Sequence, residues 1–187
     1  MTSNENDQHC VDGTEADTVP YFAYGANMNE DVFIRRRRFR PVSSEPAKLS
    51  GYEVLFAARG ITFVEPVFAA LRQADRGQVH GVLYRLRNEE AARLHRLEDG
   101  YERLHVDVCG TRSGAVRAYT YNIPALTCGL NPSRRYLQLV CDGARAAGLP
   151  PDYVTWLERH PSTYIPLLSP LAAFVVPWVE AALQRKQ

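Results

Sequence analysis

The sequence predicts an α+β fold: a small, strongly curved sheet or barrel with helices laid against it. Three observations lead there. Short apolar runs separated by turn residues fill the first two thirds of the chain, helical patterns fill the remainder, and no internal repeat organises either part. The 187 residues, 45% of them hydrophobic, suffice for one closed core. The expected division is a disordered acidic tail over 1–18 and a single domain over 19–187 with helices at its C-terminal end.

Charge narrows the function classes. Lys plus Arg (22) nearly cancels Asp plus Glu (21), so no overall field recruits nucleic acid or a membrane surface. The longest apolar stretch, 167–179, is interrupted by Ser169, Pro170 and Pro177 and is too short to span a bilayer. The N-terminus lacks the basic-then-apolar order of a signal peptide, and the expected location is the cytoplasm. Cys10, Cys109, Cys128 and Cys141 form no C-x-x-C pair or metal-ligand spacing, and read as reduced, mostly buried thiols.

The elements follow in order. Residues 19–24 are an apolar, aromatic run expected to be a buried strand, ended by Gly25-Ala26-Asn27. Asn29 or Asp31 can cap a short helix running into Arg35–Arg38. Strands are expected over 49–57 and 64–71, with Gly60 in their connection, and another over 79–86. Asn88 caps a helix to Leu97, which stops at Glu98-Asp99-Gly100. A hairpin pairs 104–109 with 116–121 about a turn at Ser113-Gly114. Pro132-Ser133 opens a helix to Ala147, stopped by Gly148 and Pro150; Asp152 opens a second, and a third runs over 170–184 with Trp178. That last helix is expected to pack on the sheet or to form a homodimer surface.

Small residues directly after a buried strand expose consecutive backbone N–H groups at the sheet edge. Gly25 permits close approach and unusual φ, and Asn27 tolerates left-handed geometry and adds an amide. Such a row of donors suits a carboxylate or another anion, although Gly-Ala-Asn after a strand is equally the composition of a plain turn.

Four segments in order resemble the γ-glutamyl cyclotransferase family (AIG2-like). The run Tyr21-Phe22-Ala23-Tyr24-Gly25-Ala26-Asn27-Met28 resembles its Y-G-S-N signature. Gly81-Val82-Leu83-Tyr84 looks like its GVLY strand. Leu94 to Glu98 matches the L-x-x-x-E that carries the family's catalytic glutamate, and Pro132-Ser133-Arg134-Arg135-Tyr136 through Gly148-Leu149-Pro150 matches a helix of its γ-glutamyl amino-acid branch. The resemblance covers residues 19 to 160. It implies a small mixed β-barrel flanked by helices and conversion of a γ-glutamyl amide into 5-oxoproline and a free amine or amino acid. It also implies that neither metal nor cofactor takes part. Glu98 is then the acid/base; Tyr24, Gly25, Ala26, Asn27 and Met28 hold the glutamyl group, and Tyr136 takes the position of an active-site tyrosine.

The chemistry explains why one carboxylate suffices. The substrate's α-ammonium must lose a proton before its nitrogen attacks the γ-carbonyl, and the departing amine must gain one. One glutamate can do both. Because the nucleophile is tethered, orientation is worth about 7–11 kcal/mol, and each backbone donor aimed at the developing oxyanion roughly 3 kcal/mol.

Several positions depart from the family pattern. Ala26 replaces a serine, Asp99 a glycine, and His105 stands where some members have a tyrosine. His105 either reshapes the substrate pocket or faces solvent. In Phe68-Ala69-Ala70-Leu71, Ala70 replaces an amide of a related strand. Two further readings stay open: a γ-glutamylamine cyclotransferase that removes a protecting group in small-molecule biosynthesis, and a domain that binds without turnover.

Other conspicuous residues have plainer readings. Consecutive arginines on a helix point all around it, so Arg35–Arg38 reads as a solvated turn; contact with nucleic acid or an acidic partner, or one arginine assisting a substrate carboxylate, are the alternatives. His80 and His95 are isolated and read as structural. Tyr119 and Tyr121 share one strand face as core or pocket wall.

Overall fold

The computed structural model describes residues 17–61, 65–98, 100–123 and 126–164. The expectations for most of the tail, the 170–184 helix with Trp178, Val64 and Asp99 lie outside them. Five strands, β1 (Thr18–Ala23), β2 (Ser43–Ile61), β3 (Glu65–Arg87), β4 (Glu102–Gly110) and β5 (Gly114–Asn122), close into a barrel in the order β1-β3-β2-β4-β5. All neighbours run antiparallel except β1 and β5, whose parallel contact at Tyr21 and Tyr119 shuts the barrel. A mixed barrel flanked by helices is thus the fold.

Strand β1 begins at Thr18, inside the expected tail, because Thr18 pairs with Arg87. The largest departure from expectation concerns 64–71 and 79–86, which are parts of one strand, β3. The intervening stretch from Arg72 to Gln78 is polar and reads as a loop, yet it stays extended as an exposed ribbon paired with β2. The register shifts between Ser50, opposite Gln78, and Tyr52, opposite Gln73, so that Ala74 to Gly77 stand opposite Gly51 alone and the ribbon bends there. Gly77 is required there, since a Cβ at this position would collide with the Tyr52 carbonyl. Gly60 belongs to β2 rather than to a connection.

Two apolar layers hold the barrel. Phe22, Leu83, Leu49, Val106, Val108 and Ala118 are buried, and Thr120 donates its hydroxyl to the Phe22 carbonyl at 2.7 Å. On the other face of β1, Tyr21 packs beside Tyr84 and Tyr119, with ring centroids 6.3 and 5.3 Å away. Phe33 stacks on Tyr84 at 4.6 Å and on Phe39 at 4.5 Å. Those contacts clamp the segment after β1 to the sheet. The segment is a 3₁₀ turn (Ala26–Met28) and then a single wide π-type turn (Asp31–Arg36). Asn29 caps it, its Oδ1 accepting the N–H groups of Asp31 and Val32.

Helix α1 (Asn88–Leu97) crosses one end of the barrel and buries Leu94. Helix α2 (Arg134–Ala146) starts where Ser133 accepts the Tyr136 N–H at 3.0 Å, and α3 (Pro151–Glu158) packs against it after Gly148 turns the chain with φ 68°. No helix among the described residues is long and apolar enough to cross a membrane.

Candidate active site

The loop from Tyr24 to Asn27 leaves the end of β1 and is pinned from below. Gly143 of α2 lies so close that a Cβ there would stand 2.7 Å from the Asn29 nitrogen, and Asn29 Nδ2 donates to the Leu139 carbonyl at 3.1 Å. Beside the loop opens a cleft of about 230 Å³. Tyr24, Gly25, Ala26, Asn27, Glu98 and Tyr136 all line it. Three sequence segments separated by tens of residues therefore meet in one place.

Glu98 is the C-cap of α1, its N–H bonded to the Leu94 carbonyl at 3.0 Å. Its side chain is 13% exposed, and its Oε1 accepts two hydrogen bonds: from Asn27 Nδ2 at 3.1 Å and from an Arg37 terminal nitrogen at 2.7 Å. Asn27 Nδ2 also donates to the Tyr21 hydroxyl at 2.8 Å, while its backbone carbonyl accepts from Tyr84 at 3.1 Å. Asn27 is fixed on both sides, and through it the carboxylate is fixed as well.

The loop backbone has extended geometry at Gly25 (φ −117°), and neither it nor Asn27 has positive φ. The expectation of left-handed geometry fails there. Gly25 is needed for close approach instead: a Cβ would stand 3.0 Å from the Tyr136 hydroxyl. The N–H groups of Gly25 and Asn27 meet no acceptor among the described residues. The Tyr136 oxygen accepts the Ala69 N–H at 3.1 Å, so its own proton can be donated into the cleft.

Buried phenols surround the carboxylate. Burial pushes Tyr101 up to about 12, with the Glu98 charge acting in the same direction. Burial pushes Tyr121 up to about 12 as well, with Arg103 pulling back and Glu98 pushing up. Tyr21, Tyr24 and Tyr136 are raised further, chiefly by burial. These hydroxyls stay protonated at neutral pH and serve as donors rather than bases.

Other expected residues fall elsewhere. Met28 is buried under the loop and does not line the cleft. His105 is exposed on β4, on the face where Arg103, Asp107 and Cys109 are exposed too, and is not part of the cleft. Of the arginine run, Arg35, Arg36 and Arg38 are exposed, but Arg37 turns inward, against the reading of four solvated residues. No local signal singles it out in the sequence, since all four arginines lie between Phe33 and Phe39, the two rings that stack on each other in this turn. Tyr101 and Arg135 also line the cleft and were not singled out. Arg135 is held by Glu65, which is 1% exposed and also accepts from Ser133. Among the described residues no three His, Cys, Asp or Glu side chains gather as metal ligands.

Residues 78–157 match the AIG2-like family. A γ-glutamyl cyclotransferase of Claviceps purpurea (strain 20.1), gliK, is 29% identical over 175 residues, covering 83% of this chain and 78% of its own. Another, aclK of Aspergillus oryzae (strain ATCC 42149 / RIB 40), is 23% identical over 168 residues, covering 76% of this chain and 62% of its own. A solved γ-glutamyl cyclotransferase structure superposes with a TM-score of 0.71 at 20% identity, covering 85% of this chain and 98% of its own, a likeness of fold.

Proposed function

We propose that the chain acts as a member of the AIG2-like, γ-glutamyl cyclotransferase-like family that it resembles, cyclising the γ-glutamyl part of a small amide to 5-oxoproline and releasing the amine. The observation that carries this reading is Glu98. A single, largely buried carboxylate is held by Asn27 and Arg37 at the mouth of a loop whose Gly25 and Asn27 amides have no acceptor among the described residues.

In this reading Glu98 takes a proton from the substrate's α-ammonium. The freed nitrogen attacks the γ-carbonyl carbon, closing a five-membered ring. The tetrahedral oxyanion is met by the Gly25 and Asn27 N–H groups, each such donor contributing roughly 3 kcal/mol. As the C–N bond to the leaving group breaks, Glu98 returns the proton to the departing nitrogen, and the second proton lost by the ring nitrogen goes to the released amine, which leaves as an ammonium. Tyr136 donates to the substrate, since its oxygen is already committed to Ala69. Ala26 in place of a serine is compatible with this scheme, because the loop contributes its backbone.

The test is release of 5-oxoproline from a panel of γ-glutamyl amino acids and γ-glutamylamines, with Glu98→Gln alongside. Turnover by the wild type and its loss, by at least about 10²-fold, in Glu98→Gln supports the reading. Undiminished turnover in the variant sinks the mechanism. Binding without turnover across the whole panel would favour a binding domain instead.

A further inference from the structure

We propose that Arg36 selects the leaving group, by receiving a carboxylate carried on the amine that departs. The proposal rests on the cyclotransferase reading and concerns the side of the substrate that Glu98 and the Gly25 loop do not hold. Three arginines line the cleft: Arg36, Arg37 and Arg135. Arg37 is bonded to Glu98, and Arg135 to the buried Glu65. Arg36 has no hydrogen bond, ion pair or ring contact among the described residues. Its charge is therefore left to water or to a ligand.

The backbone under this side chain is nonetheless fixed. Arg36 ends the turn Asp31–Arg36, in which Val32 and Phe33 are buried and Arg35 pairs with Asp31 at 3.0 Å. The Arg37 N–H closes the turn on the Val32 carbonyl at 2.9 Å. Val32 and Arg36 both line the cleft, as residues four apart on one helical face can. Val32 is buried against the wall, whereas Arg36 is exposed at the solvent edge. A fixed base with a mobile charged tip suits a group that lies at the rim.

Size and charge place the leaving group there. The cleft, at about 230 Å³, is smaller than the roughly 300–1,000 Å³ of pockets that enclose drug-sized ligands. It takes the compact glutamyl head, and the leaving group projects to the rim. At neutral pH the head carries one ammonium and one carboxylate and is neutral as a whole. A carboxylate on the leaving amine makes the substrate anionic, and the unpartnered guanidinium complements it. A neutral leaving amine gives Arg36 nothing to bind, and one with a second ammonium is repelled. Because the contact is exposed, it is weak and salt-sensitive, as surface ion pairs are.

Two substrates of one shape test this: γ-glutamylglycine, and γ-glutamylglycinamide, in which a carboxamide replaces the leaving-side carboxylate. By kcat/KM for 5-oxoproline release at low salt, the wild type is expected to prefer γ-glutamylglycine by about fivefold, the scale of an exposed ion pair. At 1 M salt, where charges are screened beyond about 3 Å, the preference should fall below about twofold. Arg36→Gln, which breaks no contact among the described residues, should show a ratio below about twofold at either ionic strength. Arg36→Lys should retain most of the preference, since an exposed contact draws on charge more than on the planar fork. A preference kept in Arg36→Gln overturns the role of Arg36, even if both rates fall together, because a shared fall would put Arg36 on the glutamyl head. A wild type that cleaves both without preference overturns it too, and leaves the cyclotransferase reading intact. A wild type that cleaves neither overturns the proposal and, if the wider γ-glutamyl panel is also uncleaved, that reading with it.

Discussion

Asn27 Nδ2 stands 3.1 Å from Glu98 Oε1 and 2.8 Å from the Tyr21 hydroxyl, so one side-chain amide ties the loop after β1 to both the barrel wall and the end of α1. The tie spans 71 residues of sequence. It orients the carboxylate by a bond to the amide rather than by packing. Asn27→Ala removes a hydrogen bond to a charged group, a contact worth about 1.5–3 kcal/mol, and should lower kcat by roughly 10- to 100-fold. Asn27→Asp should do worse, because it sets a second carboxylate against Glu98. Steady-state 5-oxoproline release checks both, and an Asn27→Asp enzyme as active as wild type would refute the arrangement.

Gly25 and Tyr136 should be coupled. A Cβ on residue 25 would stand 3.0 Å from the Tyr136 oxygen, tighter than most such contacts. Gly25→Ala is expected to raise KM by pushing the phenol away from its Ala69 partner. Tyr136→Phe removes the obstructing oxygen along with one neutral hydrogen bond, worth about 1 kcal/mol. The double variant should therefore bind better than the sum of the two single losses. A kinetic double-mutant cycle measures this; strict additivity would show that the two groups do not touch in solution.

These couplings show what the sequence could and could not reveal. The strand 19–24, the hairpin around Ser113-Gly114 and the Ser133-capped helix were legible because alternation, turn residues and caps are local signals. The loop and Glu98 were legible through short motifs in order, although nothing local said that they meet. Strand β3 was misread because residues from Arg72 to Gln78 are polar on both sides, as befits a ribbon exposed on both faces. Arg37 was hidden by its neighbours: four identical side chains carry no pattern, and only the stacking of Phe33 on Phe39 decides which one turns inward.

Arg93 should matter without touching substrate. It joins α1 to the turn that carries Arg37, through the Arg37 and Arg38 carbonyls and the Phe39 ring. Arg93→Ala is expected to cost about 1–2 kcal/mol of stability, from two carbonyls losing a charged donor and one cation–π contact. It should also lower kcat severalfold, because it loosens Arg37, one of the two groups that hold Glu98. Thermal unfolding and steady-state kinetics check this; an unchanged kcat with a lower melting temperature would make Arg93 purely structural.

The tyrosines give the protein an alkaline limit that should be visible by spectroscopy. Tyr101 and Tyr121 are pushed up to about 12 from an ordinary 10, and burial raises Tyr21 and Tyr24 as well. An unfolded chain loses these protons near pH 10, whereas the folded one keeps them to about 12. Between those values the unfolded state binds fewer protons, so stability falls as pH rises. Below pH 10 both states are protonated and these groups add no pH dependence. Melting temperature should be insensitive to tyrosine ionisation up to pH 10 and then decline, in step with a late tyrosinate absorbance rise. A full tyrosinate signal at pH 10 in folded protein would contradict the burial described.

Glu65 offers the sharpest stability prediction. It is 1% exposed at the start of β3, and its carboxylate bonds both Ser133, the cap of α2, and Arg135, whose side chain is 20% exposed. Removing one partner of a largely buried pair leaves the other charge uncompensated, at a cost of about 3–5 kcal/mol. Glu65→Ala should therefore shift the urea midpoint strongly, and should disturb the Tyr136 end of the cleft through the loosened start of α2. Replacing both partners, Glu65→Met with Arg135→Met, removes the orphaned charge and should recover much of the loss, because apolar pairs often substitute for buried ion pairs at little cost. Comparison of urea midpoints decides the matter: a double variant no more stable than Glu65→Ala would mean that the Ser133 contact, and not the ion pair, is what seats α2 on the barrel.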